Sequence, residues 1–113
     1  MAVSAEDIAY VTDLFSDLPA VTTRKMMGGL SIYSEGTIFA IWMGTGELEG
    51  TLMVKATDDL AQALENDGAI PFTYTNKKSG KTVTMPYWSL PDSALDDPES
   101  ACDWARKSLI QNG

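Results

Sequence analysis

The stretch "TRKMMGGLSIYSEGTIF", Thr23 to Phe39, sets two basic residues, two methionines and two glycines directly ahead of a run of period two. Leu30 and Ile32 alternate with Ser31 and Tyr33, Glu35-Gly36 supplies turn chemistry, and "TIFAIWM" continues with β-branched and aromatic residues. This predicts a hairpin. Its second strand is apolar on both alternations, Ile38/Ala40/Trp42 and Phe39/Ile41/Met43, as suits a central strand or one covered by a partner. Gly28 and Gly29 are expected to turn the chain sharply from a preceding helix into the sheet, through positive φ or close backbone approach, with Met26 and Met27 packed beneath.

Working outward, "SAEDIAYVTDLFSDLP" places Ile8, Val11, Leu14, Phe15 and Leu18 at helical spacing. Ser4 and Asp7 form a capping-box pattern and Pro19 disfavours helix at Leu18, so the helix is expected over about residues 5 to 17. Beyond the hairpin, "TLMVK" reads as a third strand. Thr57 is positioned to cap a helix over about 58–66 that starts on Asp58 and Asp59 and stops at Gly68. "IPFTYT" and "KTVTMPYW" follow as two strands joined by "NKKSG". Asp97-Pro98 opens a last helix whose shared face holds Ala101, Cys102, Ala105 and Leu109. The expected order is α-β-β-β-α-β-β-α, an α+β two-layer domain with a largely antiparallel five-stranded sheet and helices on one face.

With 113 residues, 44% of them hydrophobic, the chain is the size of one domain with one core, and residues 1–113 are read as such. Sixteen acidic against eight basic residues give a formal charge of −8, which repels phosphate backbones and argues against direct nucleic-acid binding. The N-terminal residues lack the pattern of a signal peptide, and no apolar run is long enough to span a membrane. A single cysteine, Cys102, permits no intramolecular disulfide. It reads first as a small buried hydrophobe and second as a reactive thiol. A cytoplasmic location is expected.

Catalytic chemistry finds little to use. There is no histidine, which removes the commonest general base and metal ligand. The carboxylate pairs Glu47/Glu49, Asp58/Asp59 and Asp96/Asp97 fit solvated or capping roles better than a glycosidase or cation site. "GTGELEG" approaches a nucleotide fingerprint, but it leads into a strand and carries two glutamates, against the helix N-terminus a phosphate needs. No catalytic residue, cofactor site or metal site is predicted.

Five of the eight basic residues fall in two places, Arg24-Lys25 and the expected hairpin tip Lys77, Lys78 and Lys81. They suit a local acidic or phosphate contact, or simply a solvated tip protected from edge pairing. Bulky side chains, Trp42, Trp88, Trp104, Tyr74, Tyr87, Phe39 and Phe72 with Met26, Met27, Met43, Met53 and Met85, exceed what one side of a thin sheet always buries. They read either as core or as a partner groove or dimer face.

"TRKMMGGLSIYSEGTIFAIW" resembles the signature of the TfoX N-terminal domain family, an Arg-x-Met-Phe-Gly-Gly-like segment before the first hairpin, with Met27 where Phe is usual. "LMVKATDD", "IPFTYT", "MPYWSLPDSALDDPES" and "CDWARKSL" continue the resemblance over about residues 8 to 110. It implies an α+β fold of secretion-chaperone-like layout and kinship with TfoX and Sxy competence regulators, which pair this domain with a C-terminal helical domain for which 113 residues are expected to leave no room. It carries over no catalytic residue. The resulting expectation is a non-enzymatic regulatory or adaptor domain that binds a protein partner of unknown identity; the alternative is a secretion-chaperone-like binder of extended segments. The candidate contact residues are Arg24, Lys25, Met27, Gly28, Gly29, Lys77, Lys78 and Lys81, and a homodimer is the simplest cover for a second apolar sheet face.

Overall fold

The computed structural model describes residues 3–26, 28–44 and 48–112. It runs α1 (Ala5–Leu14), β1 (Val21–Met26), β2 (Gly29–Ser34), β3 (Thr37–Trp42), β4 (Leu52–Lys55), α2 (Asp58–Asn66), β5 (Pro71–Thr75), β6 (Thr82–Ser89), a 3-10 turn (Asp92–Ala94) and α3 (Pro98–Asn112). The strands form one antiparallel sheet in the order β1-β2-β3-β4-β6-β5. The α+β class and the antiparallel sheet agree with the sequence reading, but the sheet has six strands where five were expected. The additional strand is β1, "VTTRKM", which pairs with β2 from Val21↔Ser34 to Met26↔Gly29. An edge strand that buries little carries no apolar alternation, so Thr23, Arg24 and Lys25 did not read as sheet.

The glycine pair is therefore misplaced in the sequence reading. It joins β1 to β2, whereas the passage from helix to sheet is made at 15–20, where Leu18 N–H donates to the Phe15 carbonyl and Ala20 takes φ 46°. Backbone demand at the glycines is nonetheless as expected. Gly28 has φ 82°, and a methyl group on Gly29 would lie 2.5 Å from the Trp42 carbonyl oxygen. Met27, assigned to pack beneath the turn, lies outside the described residues, as do Gly46 and Glu47 of "GTGELEG".

All three helices cover one face of the sheet. Val11, Leu14 and Phe15 of the first helical segment, Leu60 and Leu64 of α2, and Ala101, Cys102 and Ala105 of α3 pack on Leu30, Ile32, Phe39, Ala40, Leu52 and Val54. Phe15 meets Phe39 edge-to-face at 4.9 Å between ring centroids. Ser4 caps α1 through the predicted box, its hydroxyl accepting from Asp7 N–H while Asp7 accepts from Ser4 N–H. The α1 helix stops at Leu14, short of the expected 17, because the last turn tightens before Pro19. Thr57 occupies the cap position of α2 but makes no side-chain cap bond. Gln111 of α3 serves instead, its amide accepting from Thr57 N–H and donating to Thr57 C=O, both at 2.8 Å.

The opposite face has a core of its own. Ile41, Met53 and Tyr87 are buried there, flanked by Ile38, Met43, Leu48, Phe72 and Met85. Between Ile32 and Tyr33 the β2–β3 register slips: Ile32 pairs with Ala40 and Tyr33 with Ile38. The extra residue, Phe39, is thereby turned to the helix side, a β-bulge that exchanges it with Ile38 relative to strict alternation. Both faces of β3 are covered as its apolar pattern required, and the cover comes from this chain.

Candidate interaction surface

The face away from the helices is built from rows of residues that the strand register sets side by side. One row runs Arg24, Ser31, Ile41, Met53 and Ser89 across β1, β2, β3, β4 and β6. The row beside it holds Thr22, Tyr33 and Ile38; on β4 and β6 the Lys55↔Tyr87 pair lies on the same face, two residues along from Met53↔Ser89. On the other side stands Met26, opposite Gly29. Ser31, 4% exposed, donates its hydroxyl to the Met26 sulfur. This fixes Met26 on this face although it is 44% exposed.

Met26 and Phe72 belong to opposite edges of the sheet, yet both line one cavity of about 180 Å³, with Gly28, Gly29, Ile41, Trp42, Met43 and Gly44. Sheet twist and the reach of the two side chains account for this shared lining. The result is an apolar trough lined by Ile41 and Met43, with Met53 buried beside them. Gly29 and Gly44 allow the backbones to close beneath the cavity: a Cβ on Gly44 would overlie the Gly28 carbonyl. Burial pushes the Tyr87 phenol above its ordinary range, and Tyr33 on the same face adds to the shift.

Charge is sorted between the layers. None of the six strands contains an Asp or Glu, while Arg24, Lys25 and Lys55 lie within them. The carboxylates lie in helices, turns and loops. Asp58 and Asp59 stand in the first turn of α2, and Asp97 accepts from Glu99 N–H at the start of α3, both in keeping with the dipole and capping roles read from sequence. Among the described residues the ion pair found is Arg106–Asp103 on α3.

Of the residues proposed from sequence, the cavity gathers Gly28 and Gly29. Arg24 stands on the same face in the adjoining row. Lys25 pairs with Leu30, whose side chain is in the helix-side core, so it leaves on the other face of the edge strand. Lys77, Lys78 and Lys81 are exposed in and beside the turn joining β5 and β6; Asn76 Oδ1 accepts there from the Lys78 and Ser79 amides. These lysines do not line the cavity. Lys55 and Tyr33 were missed. Alternation within "TLMVK" put Lys55 on the Met53 face, and "LSIYS" put Tyr33 with Ser31, but only the register shows that the two residues share one side of one sheet.

These features define a class: a small α+β domain whose helices shield one side of an antiparallel sheet and whose other side forms a cation-edged apolar trough. The chain belongs to the TfoX N-terminal domain family, whose sequence model matches residues 13–111. No curated protein matches the chain significantly.

Proposed function

We propose that this chain is a non-enzymatic regulatory or adaptor domain that works in the cytoplasm by binding another protein. The observation carrying this reading is the trough: methionine and aromatic side chains around an apolar cavity, edged by Arg24 and Lys55 on a sheet without carboxylates. Methionine-rich apolar surfaces adapt to protein segments, and aromatic residues and arginine are favoured at interface centres. Membership of the TfoX N-terminal domain family supports a regulatory setting, and kinship with competence regulators directs attention to control of gene expression. A second reading, a chaperone-like holder of extended segments, draws on the open edges β1 and β5, to which a further strand can pair.

Affinity capture from the source cells, with and without nuclease, tests the proposal. Recovery of a defined protein partner in both samples is expected. Loss of every partner on nuclease treatment, or recovery of none, would contradict it.

A further inference from the structure

Resting on the protein-binding reading, the chemistry of the trough narrows the partner. Its apolar end is the cavity of about 180 Å³ between Met26, Ile41, Met43 and Phe72. A dry apolar cavity of roughly 150 Å³ admits benzene, so the space accepts one leucine-sized or aromatic side chain. Its charged groups are Arg24 and Lys55, which stand in adjacent rows on β1 and β4. With neighbouring strands about 4.8 Å apart and about 3.4 Å per residue along each, the two side chains root some 15 Å apart.

An extended segment covers that distance in four or five residues, and side chains at i, i+2 and i+4 point the same way. Among the described residues none of the six strands contains a carboxylate. The helix layer, where the negative charge concentrates, lies on the far side of the sheet.

We propose that the trough receives an extended acidic segment of a partner protein, with carboxylates about four residues apart meeting Arg24 and Lys55 and one bulky apolar side chain entering the cavity beside Met26. A nucleic acid would satisfy the cations, but it would leave the apolar cavity unfilled.

Selection from a random dodecapeptide phage library on the immobilised protein tests this, followed by anisotropy titration of the enriched peptides. Enriched sequences are expected to pair Asp or Glu with a bulky apolar residue at even spacing. Their affinity should fall at least tenfold in Arg24→Glu and in Lys55→Glu and several-fold in Lys55→Gln, with the thermal midpoint held. Lys107→Glu, an equal change of net charge on α3, should leave affinity intact. Neutral or basic consensus sequences, no enrichment, or equal loss in all charge reversals would overturn the proposal. So would displacement of the peptide by an equal concentration of dT12, or a doubled mass in light scattering that Arg24→Glu abolishes, which would make a second copy the occupant. A nuclease-resistant partner still captured by the Arg24→Glu/Lys55→Glu variant would remove this placement while leaving the protein-binding reading intact; capture of no partner at all would remove that reading instead.

Discussion

A methyl group on Gly29 would stand 2.5 Å from the Trp42 carbonyl oxygen, inside any tolerable contact, so the two backbones must separate to admit it. Gly29→Ala is expected to lose about 1–3 kcal/mol in urea unfolding, as overpacked sites do. Gly28, at φ 82°, calls for a different remedy: Gly28→Ala should cost about 1–2 kcal/mol, and Gly28→Asn should recover part of it because Asn tolerates the left-handed region. Equal stability of Gly28→Ala and wild type would remove the backbone argument. The need for glycine here was legible from two adjacent glycines before a strand; which elements they join was not, because β1 presents Thr, Arg and Lys to solvent. Titration adds a second residue-scale expectation. Burial raises the Cys102 thiol above its ordinary 9.0 and the Tyr10 and Tyr87 phenols above their ordinary 10.0, with Asp96 adding to Tyr10. Each folded-state group holds its proton more tightly than the unfolded one, so its contribution is complete below the ordinary value and is lost as pH rises through the folded value. Thermal midpoints should therefore decline from about pH 9 upward, and Cys102→Ser should lessen the first part of that decline.

Between α2 and α3 the structure departs from local capping logic. Thr57 has the right residue type and position but makes no side-chain cap bond. The side chain of Gln111, 54 residues further on, bonds both its N–H and its C=O. Thr57→Ala should therefore change stability by less than about 0.5 kcal/mol, whereas Gln111→Ala should cost about 0.5–1.5 kcal/mol, both read from denaturant midpoints. The reverse order would restore Thr57 as the cap. Ser108 makes a similar long-range tie, its hydroxyl donating to the Lys55 carbonyl at 2.5 Å from the buried side of α3. Such partners escape a sequence reading because separation along the chain carries no spacing signal. The bulge at Phe39 escapes for a related reason. Counting by two put Phe39 with Ile41, and only the pairing of Tyr33 with Ile38 instead of Phe39 reveals the extra residue. Where pattern and capping agree, as along α1 from Ser4 and Asp7 to Leu14, the element was readable nearly to its ends.

At the scale of the molecule, a chain of net charge −8 keeps its six described strands free of carboxylate, so charge is divided by layer. Composition alone suggested a uniformly acidic surface; the arrangement gives an acidic helix side and a cation-edged trough. The apolar excess in Met43, Met53, Phe72 and Met85 was legible as either core or groove, and it turns out to be a second small core open at one end into the cavity. The 5% exposure of Ile41 and complete burial of Met53 are achieved within one chain. Recognition is proposed to occur on this face. Amide mapping by NMR, titrating the 15N-labelled protein with its enriched dodecapeptide, tests it most directly. Shifts concentrated at Arg24, Ser31, Ile41, Met53 and Lys55, with α1 and α3 unmoved, are predicted; shifts centred on the helices, with those five amides unchanged, would contradict it.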